Sequence, residues 1–193
     1  MNLVAKGSRM SRRAPAAALA LVLTMLMVGV ASAQTPYIAV YFDSGHSQTT
    51  ENCPGQVLDT LYVAAVNFNT LITGAEFAIE YPPVMTWLGD QATPAVTIGA
   101  TPTGITMGFP SPRNGYNRVE LCQVLVFWNC VSCDPPYWAS LVRVIPHPAT
   151  GFLGVSDYPD YNLIPGVGFT SMICVYTPTE QTTWGQVKSL YDK

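Results

Sequence analysis

Residues 74–81, Gly-Ala-Glu-Phe-Ala-Ile-Glu-Tyr, place an apolar side chain at every second position and stop at Pro82-Pro83. Successive side chains of a strand point to opposite faces. The pattern predicts a strand with Phe77, Ile79 and Tyr81 on a buried face and Glu76, Ala78 and Glu80 on a solvated one. Proline has no N–H for the ladder, so the pair ends the strand. A strand buried on one face needs neighbours beside it and a layer beneath it.

The rest of the chain supplies them. Tyr37 to Phe42 is rich in strand formers, and Val57 to Phe68 is a longer run. Further strands are predicted at Val84 to Leu88, Ala95 to Gly99, Gly104 to Phe109, Trp138 to Ile145, Phe152 to Val155 and Phe169 to Tyr176. Arg118 to Asn129 is the most apolar segment and reads as a central strand. The 16 Pro and 15 Gly punctuate these runs at short intervals. About nine short strands at such spacing predict an all-β, two-sheet sandwich of jelly-roll or immunoglobulin-like type. Only 11% of residues are charged, too few to coat the outer faces of a helical bundle.

Two ends differ from this middle. Lys6, Arg9, Arg12 and Arg13 precede the apolar run 16–30, and Ala31-Ser32-Ala33 follows as a small-x-small cleavage site. This is the three-part pattern of a secretory signal peptide over 1–33. The run is short for a membrane-spanning helix, so no stable span is expected once the leader is removed. At the other end, Thr183-Trp184-Gly185-Gln186 fits a capping box. Trp184, Val187, Lys188 and Tyr191 then follow at helical spacing, which predicts a short helix in a tail over 178–193. The sandwich domain is left with 34–177.

Removing the leader also changes the charge. Five basic residues (Arg113, Arg118, Arg143, Lys188, Lys193) and all twelve acidic ones remain. The balance is 5 − 12 = −7, which disfavours binding to nucleic acid and provides no polybasic patch for anionic lipid. Cys53, Cys122, Cys130, Cys133 and Cys174 all lie after the leader. In an oxidising compartment they read as disulfide material. Five allow at most two intrachain bridges and one spare thiol. Cys122 and Cys130 fall in one strand, too far apart along it to be bridged.

Two resemblances carry further. Val57-Leu-Asp-Thr-Leu-Tyr-Val-Ala-Ala-Val-Asn67, then Ile72-Thr-Gly-Ala-Glu-Phe-Ala-Ile-Glu-Tyr-Pro82 and Leu88-Gly-Asp90, resemble the opening third of cohesin-like domains. Pro82-Pro83 stands where those domains usually have Asp-Pro. The resemblance implies a jelly-roll module that binds dockerin modules or acts in adhesion. It assigns no partner-binding residue, because the matched stretch is scaffold. Ile38-Ala-Val-Tyr-Phe-Asp43, Asn52-Cys53, the Gly-x-Glu-Phe strand and the tail Thr182-Thr-Trp-Gly-Gln-Val-Lys-Ser-Leu-Tyr191 are also similar to a group of exported bacterial β-sandwich proteins. That likeness implies export and no particular activity.

No catalytic, metal or cofactor motif stands out. Cys130-Val-Ser-Cys133 is followed by Asp134-Pro135-Pro136, which forbids the helix that lowers a redox thiol's pKa; structural cystines at a turn fit better. His46 follows Asp43-Ser-Gly, the sequence of a turn. His147 lies between two prolines and reads as an exposed turn. Asp59, Glu76 and Glu80 read as outward-facing strand residues. Asp157 to Asn162 offers oxygens to calcium. Tyr137, Trp138, Tyr158 and Tyr161 lie in loops and offer a stacking surface for sugars. Trp184, Gly185, Lys188 and Tyr191 mark either a packing helix or a sorting tail. The expectation is an exported non-enzymatic module for adhesion or protein–protein contact, at the cell surface, in the medium or in the periplasm. A carbohydrate-binding module, assisted or not by calcium, is the alternative, and a hydrolase comes last.

Overall fold

The computed structural model describes residues 34–92, 95–130 and 140–174, and those from Thr35 onward belong to one compact unit. They form thirteen strands and, among the described residues, no helix. These are β1 (Tyr37–Tyr41), β2 (Thr50–Glu51), β3 (Leu58–Val66), β4 (Leu71–Glu80), β5 (Met85–Gln91), β6 (Val96–Ala100) and β7 (Gly104–Asn114). There follow β8 (Arg118–Trp128), β9 (Ser140–Ile145), β10 (Gly154–Tyr158), β11 (Leu163–Pro165), β12 (Val167–Gly168) and β13 (Thr170–Ile173).

The strands make two sheets. One has five, in the order β12-β1-β3-β8-β5. The other has eight: β11-β10-β4-β9-β13-β2, with β7 beside β4 and β6 beyond β7. The segment Arg118–Trp128 lies between β3 and β5, the interior place its apolarity predicts. Beside β4, β9 pairs with Ala78–Glu80 and β10 with 71–76, so the two share one strand's length. The strand count exceeds nine because of such interruptions and because β2 and β12 are only two residues long.

Phe77 and Ile79 point into the core with Ile38, Leu61, Val63, Val124, Val126 and Trp128. Glu80 points out, as the alternation requires. Two expectations change. β7 does not stop at Phe109 but runs through Pro110 and Pro112. Its register with β4 jumps from Gly108 opposite Gly74 to Arg113 opposite Ile72. The prolines sit in that bulge, where no ladder hydrogen bond is required.

Asp59 is not an outward-facing residue. Its Oδ2 accepts the Trp128 indole N–H at 3.1 Å, and that indole is fully buried. A buried indole N–H needs an acceptor, so the carboxylate turns inward while its neighbour Leu58 stays exposed. A second inward carboxylate fastens the sandwich edge. Asp90 accepts from the Trp87 indole at 3.0 Å and from the Thr101 N–H and hydroxyl, both at 2.7 Å. The Thr101 hydroxyl also meets the Tyr81 phenol at 2.7 Å, and the Thr101 carbonyl accepts from Ile79 N–H at 2.7 Å. The loop between β6 and β7 is thereby tied to both sheets.

Cys53 and Cys130 form a disulfide with Cα atoms 5.6 Å apart, joining the β2–β3 connection to the end of β8. Cys130 thus has its bridge to Cys53. Cys174 Sγ lies 3.9 Å from Cys130 Sγ. Cys122 is a free, buried thiol, and burial pushes its pKa up, away from reactive thiolate. Cys133, the leader 1–33 and the helix expected at 183–191 lie outside the described residues.

Candidate functional site

Cross-strand partners share a face, so register alone shows what lines the outer surface of the eight-stranded sheet. One rung reads Val96, Gly108, Gly74, Ser156, Leu163 across β6, β7, β4, β10 and β11. The next reads Ile98, Thr106, Glu76, Gly154, Pro165. Five strands span roughly 19 Å. The centre of this face is small side chains and bare backbone, and its two margins are apolar. Val96 is 76% exposed, Ile98 75% and Leu163 64%. The first rung leaves a shallow trough with a bare floor at Gly108 and aliphatic margins, while in the second Glu76 stands on the floor beneath the 146–153 turn.

Glycine is placed here for two different reasons. A Cβ on Gly74 would lie 2.6 Å from the Met107 carbonyl oxygen, so the floor strands can approach only without it. A Cβ on Gly108 would meet nothing within 4 Å. That position is open to solvent, and the missing side chain there leaves room for a ligand.

The single carboxylate in these two rungs is covered. Glu76 accepts a hydrogen bond from the Thr150 hydroxyl, and His147 Nδ1 lies 4.0 Å from it. Residues 146–153 turn back over β4 to do this, closed by Gly151 N–H to the His147 carbonyl at 2.8 Å. The His147 ring packs on Gly104. The flanking prolines do form a turn, but its imidazole is 13% exposed, which corrects the expectation of an exposed histidine. The neighbouring Glu76 carboxylate and the bare Gly104 backbone give the ring a surface to lie on.

The other sequence-marked residues are spread apart. Asp43, Ser44, Gly45 and His46 form a turn on the five-stranded sheet, far along the chain from His147. Tyr158 and Tyr161 are exposed, with ring centroids 6.3 Å apart and planes at 82°. They meet edge to face and do not make a flat stacking platform. Asp157 Oδ1 accepts Asn162 N–H at 2.6 Å. Among the described residues, the group whose ligand atoms cluster closely enough for a metal is Cys53, Cys130 and Cys174, two of them already bridged. Tyr137, Trp138, Trp184, Gly185, Lys188 and Tyr191 lie outside the described residues.

A pocket of about 320 Å³ lies between Glu80, Tyr81, Ser140, Leu141 and Arg143. Among the described residues Glu80 is the one carboxylate lining it, and it pairs with Arg143 at 3.3 Å. Glycoside hydrolysis in its common form needs two carboxyl groups facing each other, and the described residues of this pocket present one.

The trough was missed from sequence for a simple reason. Ala95 to Gly99 reads as a strand, but nothing in it says that its aliphatic side chains stay uncovered. The signal that exists is the pairing of two strand glycines, Gly74 and Gly108, and it needs the register to be seen.

No family model matches the sequence, and no curated relative does. Solved cohesin structures are similar at low identity. A cohesin module from a Clostridium perfringens family 33 glycoside hydrolase is 9% identical, over 72% of this chain and 95% of its own, with a TM-score of 0.47. A third ScaB cohesin of R. flavefaciens, solved with a group 1 dockerin, is 11% identical over 73% and 96%, with a TM-score of 0.47. A non-cellulosomal cohesin of the archaeon Archaeoglobus fulgidus is 10% identical over 82% and 99%, with a TM-score of 0.42.

Proposed function

We propose that the chain is an exported, non-enzymatic interaction module that seats a protein partner in the trough of the eight-stranded sheet. The trough itself carries the reading. Its margins leave Val96, Ile98 and Leu163 largely exposed, and its floor is bare at Gly108. The exposed aliphatic pair Val96 and Ile98 on one margin, faced by Leu163 on the other, offers apolar surface that a contact would cover. A ridge of apolar side chains on the partner, set between the walls, would bury these residues and exclude water, as the core of an interface does. The resemblance of residues 57–90 to cohesin-like domains supports the same class, with a dockerin-type module or an adhesion partner as the occupant. The leader-like residues 1–33 and the Cys53–Cys130 bridge support an oxidising location outside the cytoplasm.

The test fills the floor. Gly108→Leu places a side chain in open space, so the fold is retained while the trough is blocked. Leu58→Ser, on the outer face of the five-stranded sheet, is the control. Exported proteins captured by the purified chain are compared by mass spectrometry. We expect partners retained by the control to be lost at least tenfold from Gly108→Leu. A captured set indifferent to Gly108→Leu, with Leu58→Ser abolishing it, would move the interface to the other sheet.

A further inference from the structure

Residues 43–48 form a turn folded onto the outer face of the five-stranded sheet, away from the trough. Asp43 closes it: Oδ1 accepts from Ser47 N–H at 2.8 Å and Gln48 N–H at 2.6 Å, and Oδ2 accepts from the Ser47 hydroxyl at 2.9 Å. Phe42 N–H donates to the Gln48 carbonyl at 2.9 Å. The turn holds His46 at φ 52°, a left-handed conformation that is uncommon outside glycine. Its ring sits edge to face on Tyr41 at 5.4 Å and on Tyr62 at 5.9 Å, two cross-strand partners. Tyr41 is almost fully buried, and Ala39 and Ala64 beside it are completely so.

The histidine is an apolar plug with one polar atom left over. Only 13% of its side chain is exposed, and its Nε2 is buried without a hydrogen bond. Glu120 Oε2 is 3.4 Å from that nitrogen. The Arg118 guanidinium lies over the Tyr41 ring at 5.2 Å and donates to the Gly45 carbonyl at 3.1 Å. The charged and titratable groups around the imidazole are therefore Asp43 from the turn, Tyr41 from β1, Tyr62 from β3, and Arg118 and Glu120 from β8.

We propose that residues 43–48 are an acid-released latch, pinned by neutral His46 and opened when that ring takes a second proton. The added charge would stand in a site dehydrated by two phenol rings and repelled by Arg118, with Glu120 a partial offset. Burial, the largest effect, holds the His46 pKa below its ordinary value. The unfolded chain then takes its proton first as pH falls. The latch's contribution is complete above the unfolded value of about 6.5 and is lost as pH drops below it. Opening uncovers the Tyr41–Tyr62 patch. This device is independent of the trough.

The test is amide exchange of the full chain at pH 7.5 and pH 5, corrected for intrinsic rates. We expect protection at residues 43–48 to fall at least about twofold at the lower pH in the wild type. His46→Phe, which keeps the plug and removes the titration, should show no such fall, and His147→Gln should keep it. Glu120→Gln, which removes the partial offset, should move the opening to higher pH, and this tests the latch even if His46→Phe misfolds. Equal wild-type protection at the two pH values, or an undiminished response in His46→Phe, would overturn the proposal.

Discussion

Thr101 shows how much a single side chain can hold. It is completely buried, and its hydroxyl joins the Asp90 carboxylate to the Tyr81 phenol. Burial pushes the Tyr81 pKa up, well above that of an ordinary tyrosine, so the phenol stays a neutral partner. Thr101→Val keeps the shape but leaves both neighbours short of a bond. Stranding buried polar groups costs about 2 kcal/mol, and we expect a loss of that size in urea unfolding. The residues behind the cohesin-like resemblance have physical duties of this kind. Asn67 adopts φ 60°, which asparagine tolerates better than most residues. Gly74 has no room for a Cβ. Tyr81 and Asp90 close the polar network. The demand on Asn67 is local and legible in sequence, whereas those on Gly74, Tyr81 and Asp90 come from Met107 and Thr101 on other elements. Asp59 is another such case: it shares the core face of Leu61 and Val63, but its charge alone suggests the outer face, and its acceptor role depends on Trp128, 69 residues away.

Among elements, β6 stands apart. It pairs with β7 and with no other strand, and it carries Val96, Thr97 and Ile98 without a charge, a proline or a bulge. Other sheet margins are protected: β2 and β12 are two residues long, and β5 has a register shift between Trp87 and Gly89. An open apolar edge is a template for pairing with another chain. We expect Ile98→Lys to reduce light scattering of concentrated protein while leaving the unfolding midpoint within the error of the wild type. Long strands were legible from sequence, β4 by its alternation and β8 by its apolarity. β11, β12 and β2 were not, because two or three residues carry no period and their pairing is fixed by distant partners.

For the whole molecule, the Cys53–Cys130 bridge spans a separation of 77 residues. Closing a loop of that size restricts the unfolded chain by about 4 kcal/mol in the chain-entropy account. Cys53→Ser should lose stability of that order in equilibrium urea unfolding. The pairing was not legible, since five cysteines leave several options and only the fold brings these two within reach.

The parallel contact between β1 and β12 has a consequence in time. Tyr37 and Ile38 find their partners at Val167 and Gly168, and the Ser171 hydroxyl donates to the Val40 carbonyl at 2.6 Å. Whether the polypeptide leaves a ribosome or is threaded through a secretion pore, its first strand must wait for nearly the last one. Until then β1 presents a bare margin of Ile, Ala and Val, the kind of transiently open strand edge on which incompletely folded chains clump.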